Sequence, residues 1–554
     1  MPHVTTGPLA ETSPGRYALQ VVPEGRSVAA NARLIGAITF GSRILGLARE
    51  SIAASAFGAG PVWSAFTIAF TIPNLFRKLF GEGALSAAFI PIYARLHATP
   101  GRERAAQRFA AQGTNLLVTT LAAITLTVEI VLISLILSGI GREDHRLAMG
   151  LTAIMLPYVV FVCGAAFLGG FLNVHGRFAA PAAASVLLNL CLIAAIGGCA
   201  VFFDLSLENE RIRATYAVGG AVVVSGVLQV LLLWPSLKAS GYRFLPTTGA
   251  WSRRTRQMVR IGLPVAFSAA VLQIGVLLDK GIAFFLAAEP DAVPGGWTPM
   301  AAGAAARLNW AQYVYQFPLG VFAIALATAV FPALARDAKF DAGRNDSFRQ
   351  TLRRGIESAV FLGIPASLGL VLVATDAVRV LFERGRFTTE DTQLVATSVA
   401  VYSAAVWAFA LQQIVNRAYY ALQETTVPLR WAMYNLAINI VIELPLIWLL
   451  PRGWGEVGMP VGTFASFAIQ SLWMMLLLNR RLGGIGLGQS IRPVAIMLLA
   501  TGAMVAACWP IRWIGDDSTT WSALRLGVTM VTGAGVYFAL TGATGVLRLP
   551  RRGK

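Results

Sequence analysis

The sequence predicts an all-α polytopic membrane protein of about fourteen transmembrane helices, two six-helix lobes around a central cationic cavity plus two C-terminal helices. Three observations predict it. Of 554 residues, 56% are hydrophobic and only 13% charged, a balance too apolar for a soluble domain. The apolar residues gather in runs of about 20, the length a helix needs to cross a bilayer. Segments 72–95 (IPNLFRKLFGEGALSAAFIPIYAR) and 317–336 (FPLGVFAIALATAVFPALAR) match once four residues are inserted, which indicates an internal repeat six spans apart. Transporter repeats of this kind place a site between lobes.

Residues 1–30 are polar and lack the continuous apolar core of a signal peptide, so they are expected to form a disordered cytoplasmic tail. The N-terminal lobe (31–245) holds spans near 34–57, 62–80, 114–138, 150–173, 180–203 and 215–236. The C-terminal lobe (246–485) holds spans near 259–287, 306–334, 356–379, 395–420, 428–450 and 457–478, and residues 486–554 add spans near 491–511 and 522–547. An even count puts both termini on one side. Connections on one side carry Arg95, Arg102, Arg104 and Arg108, then Lys238, Arg243, Arg253, Arg254 and Arg256, then Arg349, Arg353 and Arg354. Those on the other are nearly neutral, as in GREDHR (141–146) and ENERIR (208–213), with Arg384 and Arg386 a local exception. Basic loops stay in the cytoplasm, so both termini are expected there. The same distribution assigns the net charge of +18 to topology and excludes nucleic acid as a partner.

Cys163, Cys191, Cys199 and Cys508 lie in apolar segments without CxxC spacing and read as small buried hydrophobes. His3, His97, His145 and His175 share no helix face, and no metal is expected. There is no GxxxxGK[ST] phosphate loop and hence no ATPase of its own.

Charges inside the spans point to function. Arg43 and Arg49 lie within the first span, where each costs about 2.5 to 3.5 kcal/mol on insertion scales. Such residues face inward, toward something anionic or an internal ion pair. On a straight helix Arg43 and Glu50 nearly eclipse, whereas Arg49 is turned by about 120° from Arg43, so Glu50 can neutralise only one of them. Gly41, Gly46 and Pro73 allow close packing or broken backbone beside a cavity. Arg77 and Lys78 end the second span, either snorkelling to the interface or extending an anion site, since arginine binds phosphate in a fork and lysine as a point charge. In the seventh span Asp279 and Lys280 are adjacent and diverge by about 100°. At least one should therefore face the cavity, Lys280 toward phosphate, Asp279 toward orientation or ion coupling; a structural interhelical pair is the alternative.

The runs GSRILGLARE (41–50), FGAGPVWSAFTIAFTIPNLFRKLFGEGALSAAFIPIY (57–93), YQFPLGVFAIALATAVFPALAR (315–336) and LFERGRFT (381–388) resemble the MurJ/MviN family of lipid II flippases, in the wider superfamily that includes MATE exporters; this chain resembles a divergent member. The resemblance implies alternating access that carries lipid II, the undecaprenyl-pyrophosphate-linked peptidoglycan precursor, across the bacterial inner membrane. Arg43, Arg49, Arg77 and Lys78 match the family's basic cavity positions, with Lys280 joining them at the pyrophosphate; Glu50, Glu82, Asp279, Ser64, Tyr313 and Gln316 are gating or coupling candidates; and 491–547 matches a groove for the lipid tail. It implies a transporter rather than an enzyme, without cofactor. Energy would come from membrane potential, a monovalent ion or substrate supply, and cell-wall synthesis proteins are the partners to test.

Departures accompany the matches. Ser64 stands where the family usually has an acidic residue, Tyr313 where it has an arginine, and Gln316 where it has a further acid. Opposite charges lost together strand neither partner, and Lys280 is expected to supply the missing cation. Alternatives are a paralogue exporting another polyprenyl-linked glycan, a MATE-like cation-coupled antiporter, whose cavity should be acidic and aromatic, and a non-transporting scaffold, which has no need of arginines in a span.

Overall fold

The computed structural model describes residues 25–79, 85–244, 251–289, 292–320, 324–338 and 346–545. The first half comprises α1 (Gly25–Phe57), α2 (Pro61–Phe76), α3 (Leu85–His97), α4 (Glu103–Leu137), α5 (Glu143–Met155), α6 (Tyr158–Val174), α7 (Ala179–Phe202) and α8 (Glu208–Ala239). The second half comprises α9 (Arg253–Phe285), α10 (Ala304–Pro318), α11 (Ile324–Asp337), α12 (Asp346–Phe382), α13 (Thr389–Ala404), α14 (Val406–Ala421), α15 (Thr426–Leu449) and α16 (Gly458–Arg481), followed by α17 (Ile491–Cys508) and α18 (Thr519–Ala543). Among the described residues there is no β-strand, only isolated bridges such as Ala287 with Met300.

Local chemistry sets several boundaries. Gly60 precedes Pro61 at the first turn of α2, where proline's missing N–H costs nothing. Ser252 caps α9, and Thr388 and Asp391 form a reciprocal capping box on α13. α1 begins at Gly25, inside the segment expected as tail.

Ten stretches of described helix are long and apolar enough to cross a membrane, with α5–α6 and α13–α14 each counted as one bent crossing. The four remaining expected spans fall on α1, α2, α9 and α10–α11. These helices carry the charges singled out from the sequence. α1 holds Arg43, Arg49 and Glu50, and α9 holds Asp279 and Lys280. Spans 62–80 and 306–334 depart from a regular α-helix, as Pro73 allows in the first. α2 contains Pro73 and gives way at 77–79 to a π turn, and α10 ends on Pro318 before a π turn at 319–320. Proline removes a backbone donor and crowds the preceding turn, and a π turn swings the side chains it carries out of helical register. In both matched segments a proline, Pro73 or Pro318, is followed by a π turn, and α3 and α11 are the next described helices.

α1 packs along α7, α2 along α5, and α9 and α10 cross from the second half onto α2. The largest apolar cluster spans both halves, from Phe89, Phe167 and Phe171 to Trp310, Tyr315 and Phe382. A second gathers Phe348, Leu352, Ile414 and Met474, and a third joins α17 to α18 through Met504, Cys508 and Tyr537. Cys163, Cys199 and Cys508 are buried and Cys191 is half-buried, all as free thiols. On the outer half of α4, Leu126, Ile130, Val131 and Leu137 are exposed, a face suited to lipid rather than water.

Candidate functional site

α1 runs from the basic end into the middle of the molecule and there meets the broken helices α2 and α10. Arg43 and Arg49 of α1, with Arg77 and Lys78 of the α2 break, line one cavity of about 640 Å³. Asn74, Asn189, Gln229, Tyr313 and Gln316 line it too, so its polar wall comes from both halves. A smaller, inner cavity of about 90 Å³ shares Arg49, Lys78, Tyr313 and Gln316 and adds Glu50, Lys280, Asn309 and Gln312.

Arg49 is the anchor of this site. Its Nη1 donates to Asn189 Oδ1 on α7 at 3.1 Å, and its Nη2 donates to Glu50 and, at 2.8 Å, to the Tyr313 hydroxyl. The guanidinium also lies 5.9 Å from the Phe70 ring centre and 5.8 Å from that of Tyr313, within cation–π range. Glu50 is buried and uses its other oxygen to accept from Asn309 Nδ2 (3.2 Å) and Trp310 Nε1 (3.1 Å). Asn309 Oδ1 in turn accepts from Lys280 Nζ at 2.6 Å. A continuous polar chain thus runs from α7 through α1 to α10 and α9.

Glu50 pairs with its own neighbour Arg49, and Arg43 is left over. Among the described residues Arg43 has no hydrogen-bond or ion-pair partner, and its guanidinium lies where a Cβ on Gly320 would overlap it. Glycine at 320 is what allows the arginine to lie against α10's break. Arg77 is steadied by Asn74, which accepts from its Nε at 2.9 Å.

Asp279 and Lys280 diverge as helical geometry requires. Lys280 faces the inner cavity, while Asp279 faces α15, where Asn439 Nδ2 donates both to Asp279 (3.3 Å) and to the fully buried Glu443 (3.0 Å). Glu443 Oε1 and Asn439 Oδ1 are buried without a hydrogen-bond partner among the described residues. Ser64 lines neither cavity; its Oγ accepts from the Ala306 backbone N–H at 3.2 Å, joining α2 to the start of α10. Glu82 lies outside the described residues.

Beyond Arg49 the cavity is sealed. Ser51 Oγ donates to the Leu381 carbonyl, the Arg386 N–H donates to the Ser55 carbonyl at 2.9 Å, and Gly303 (φ +90°) sits so tightly on the Ala59 carbonyl that a side chain there would overlap it. All of these contacts join the first half to the second.

Sequence reading missed several buried charges, although the rule that singled out Arg43 applies to them equally. Arg307 on α10 forks onto Glu456 (2.7 and 2.9 Å), reaches Asp391 at 3.5 Å and donates to the Ala301 and Ala302 carbonyls. Arg525 of α18 binds Asp376 of α12 at 2.8 Å, and Arg379 reaches Glu383 and Asp517. At the basic end, His97 and His175 come together, their ring centres 4.7 Å apart, with the Tyr93 hydroxyl 3.0 Å from His175 Nε2. His97 ends α3 and His175 follows the end of α6, far apart in sequence and beyond the reach of spacing rules. No group of three His, Cys, Asp or Glu side chains able to hold a metal occurs among the described residues.

The family model described as "Lipid II flippase MurJ" matches residues 53–525. The chain belongs to the MurJ family. A Vibrio cholerae relative described as "Probable lipid II flippase MurJ" is 31% identical over 535 residues, covering 93% of this chain and 95% of its own. The Burkholderia cenocepacia protein named "Lipid II flippase MurJ" is 29% identical over 457 residues, 81% of this chain and 83% of its own. Among solved structures, a MurJ described in an inward closed conformation superposes with a TM-score of 0.73 at 21% identity, covering 92% of this chain and 99% of that one. A MATE family transporter in an inward-facing conformation gives 0.63 at 15%, covering 80% and 95%. The fold is thus that of a multi-pass MurJ-type membrane transporter. At position 313 this family member carries a hydroxyl that accepts from Arg49, where a second guanidinium would repel it.

Proposed function

We propose that this chain is a lipid II flippase, moving the undecaprenyl-pyrophosphate-linked precursor from the cytoplasmic to the periplasmic leaflet of the inner membrane. The observation that carries this reading is the convergence of Arg43, Arg49, Arg77 and Lys78 on one cavity, closed beyond Arg49 by contacts between the two halves. A pyrophosphate leaving water for the bilayer interior loses its hydration, and preplaced guanidinium and ammonium groups offset that loss. Arg43, without a partner among the described residues, is the group free to meet it, while Arg49 is already fixed in direction by Glu50, Asn189 and Tyr313.

Transport then follows from rocking the lobes 31–245 and 246–485 against each other, which breaks the far-end contacts and opens the cavity to the other leaflet. The lipid tail stays in the membrane along 486–554. No covalent chemistry is needed. The pair Asp279 and Glu443, sharing Asn439 and leaving buried oxygens without partners among the described residues, supports coupling to a monovalent cation or proton. Its placement on α9 and α15, behind Lys280, links ion occupancy to the cavity wall.

Complementation tests the reading. With the host's own lipid II flippase depleted, expression of this chain should restore growth and periplasmic exposure of lipid II. Failure despite membrane insertion overturns it in favour of a paralogue carrying another polyprenyl-linked glycan, the reading that the substitutions at 64 and 313 would then explain.

A further inference from the structure

The sealed end carries a feature that the transport cavity does not use. The turn Arg384-Gly385-Arg386, between α12 and α13, places two arginines on the otherwise near-neutral face. Reciprocal glycines seat it. Gly385 (φ +61°) rests on the Ser55 carbonyl and Gly58 (φ +67°) on the Arg386 carbonyl, each so close that a Cβ would collide with the facing backbone. The turn belongs to the second half of the chain, and Ser55 and Gly58 belong to the first.

Two cavities flank this turn. The larger, about 420 Å³, is lined by Arg384, Arg386, Ser55 and Ser206 with Ile52 and Leu205 as apolar wall. The smaller, about 220 Å³, is lined by Arg386, Arg211 and Asp391 around residues 57–62. Arg211, on α8, is within electrostatic reach of Arg386. Backbone carbonyls fix two of the guanidinia through one nitrogen each: Arg384 Nη2 donates to Val380 (2.6 Å) and Leu381 (3.1 Å), Arg211 Nη1 to Leu205 (3.3 Å) and Ser206 (3.1 Å). The Arg386 side chain has no hydrogen-bond or ion-pair partner among the described residues.

The nearby carboxylates have other commitments. Asp391 serves Arg307 and the Thr388 cap, Glu383 serves Arg379 and Thr392, and Asp204 serves Ser206. Glu208 acts on Arg211 from the same turn of α8. Closing this end therefore brings cations of both halves together, which opposes closure unless an anion sits among them. Beside Ala200, which lines the larger cavity, Val201 and Phe202 are 78% and 84% exposed. Such side chains belong in lipid, so the cations stand at a membrane interface.

We propose that Arg384, Arg386 and Arg211 form a phosphate site for the head group of an anionic phospholipid, its acyl chains lying along Val201 and Phe202. Guanidinium forks suit a phosphodiester. Because the site takes residues from both halves, it is complete only while the far end is sealed. A ligand that binds one state better shifts the population toward it, so the head group favours the sealed state. That last step rests on the alternating-access reading; the binding itself does not.

Titration of the purified full-length protein with dioctanoyl phosphatidylglycerol, followed by native mass spectrometry, tests the site. Wild type should bind, the double variant R384Q/R386Q should lose about tenfold or more in affinity, and R384K/R386K should retain most of it. Should the double variant fail to fold, R386Q alone carries the test, because its side chain supports no other group. Equal binding by wild type and the glutamine variants overturns the site. Displacement of the lipid by equimolar inorganic phosphate overturns the lipid assignment in favour of a soluble anion. Spin labels at Leu207→Cys and Thr389→Cys should report a shorter, narrower distance in phosphatidylglycerol than in phosphatidylcholine nanodiscs. Binding without that change overturns the stabilising role while leaving the site standing. Failed complementation, by contrast, bears only on the transported substrate.

Discussion

Arg43 and Arg307 are both arginines within expected spans, yet their surroundings are opposite. Arg307 is enclosed by Glu456, Asp391 and two carbonyls, a set that satisfies its charge and most of its donors. Arg43 faces a cavity of about 640 Å³ with no protein partner among the described residues. An intramembrane arginine is costly in either place. Where the chain itself supplies the anions, the arginine holds helices together; where it does not, the missing anion is the ligand. Arg49 lies between these cases, pinned by Glu50 and Tyr313 yet open to the cavity.

The contrast can be broken by experiment. The largest effect is expected at the enclosed arginine. Arg307→Ala leaves Glu456 buried without its partner and should cost about 3 to 5 kcal/mol, seen as a large drop in thermal unfolding temperature or loss of membrane-inserted protein. A normally stable variant would mean that the ion pair is not what holds α10 in place. Arg43→Ala should leave unfolding within about 0.5 kcal/mol of wild type while abolishing complementation. Gly320→Ala, which displaces the same guanidinium without removing a charge, should impair transport to a lesser degree. If both variants transported normally, the cavity would not be the anion's path. The smallest effect on transport is expected at Tyr313→Phe. It removes one hydrogen bond to a charged group, about 1.5 to 3 kcal/mol at most, and Arg49 keeps Glu50 and Asn189. Transport should be reduced rather than lost; complete loss would make Tyr313 part of the transport step itself.

The sequence alone determined the class, the approximate spans and the central cations, because a bilayer imposes length and polarity rules that each segment must satisfy by itself. It also made the divergence of Asp279 and Lys280 legible, since adjacent residues on a helix cannot share a face. What it left open was partnership. Helical phase could not say which arginine Glu50 takes; it takes Arg49, and Asn309 and Trp310 of α10 fix the carboxylate from another helix. Glu443 joins Asp279 across 164 residues of chain only because α15 lies against α9, and Arg43 lies against Gly320 only because the two halves pack together. Only the tertiary structure decides which buried charge is satisfied and which waits for a ligand, because that depends on which helices come within about 3 Å of one another, and no local pattern of residues encodes it.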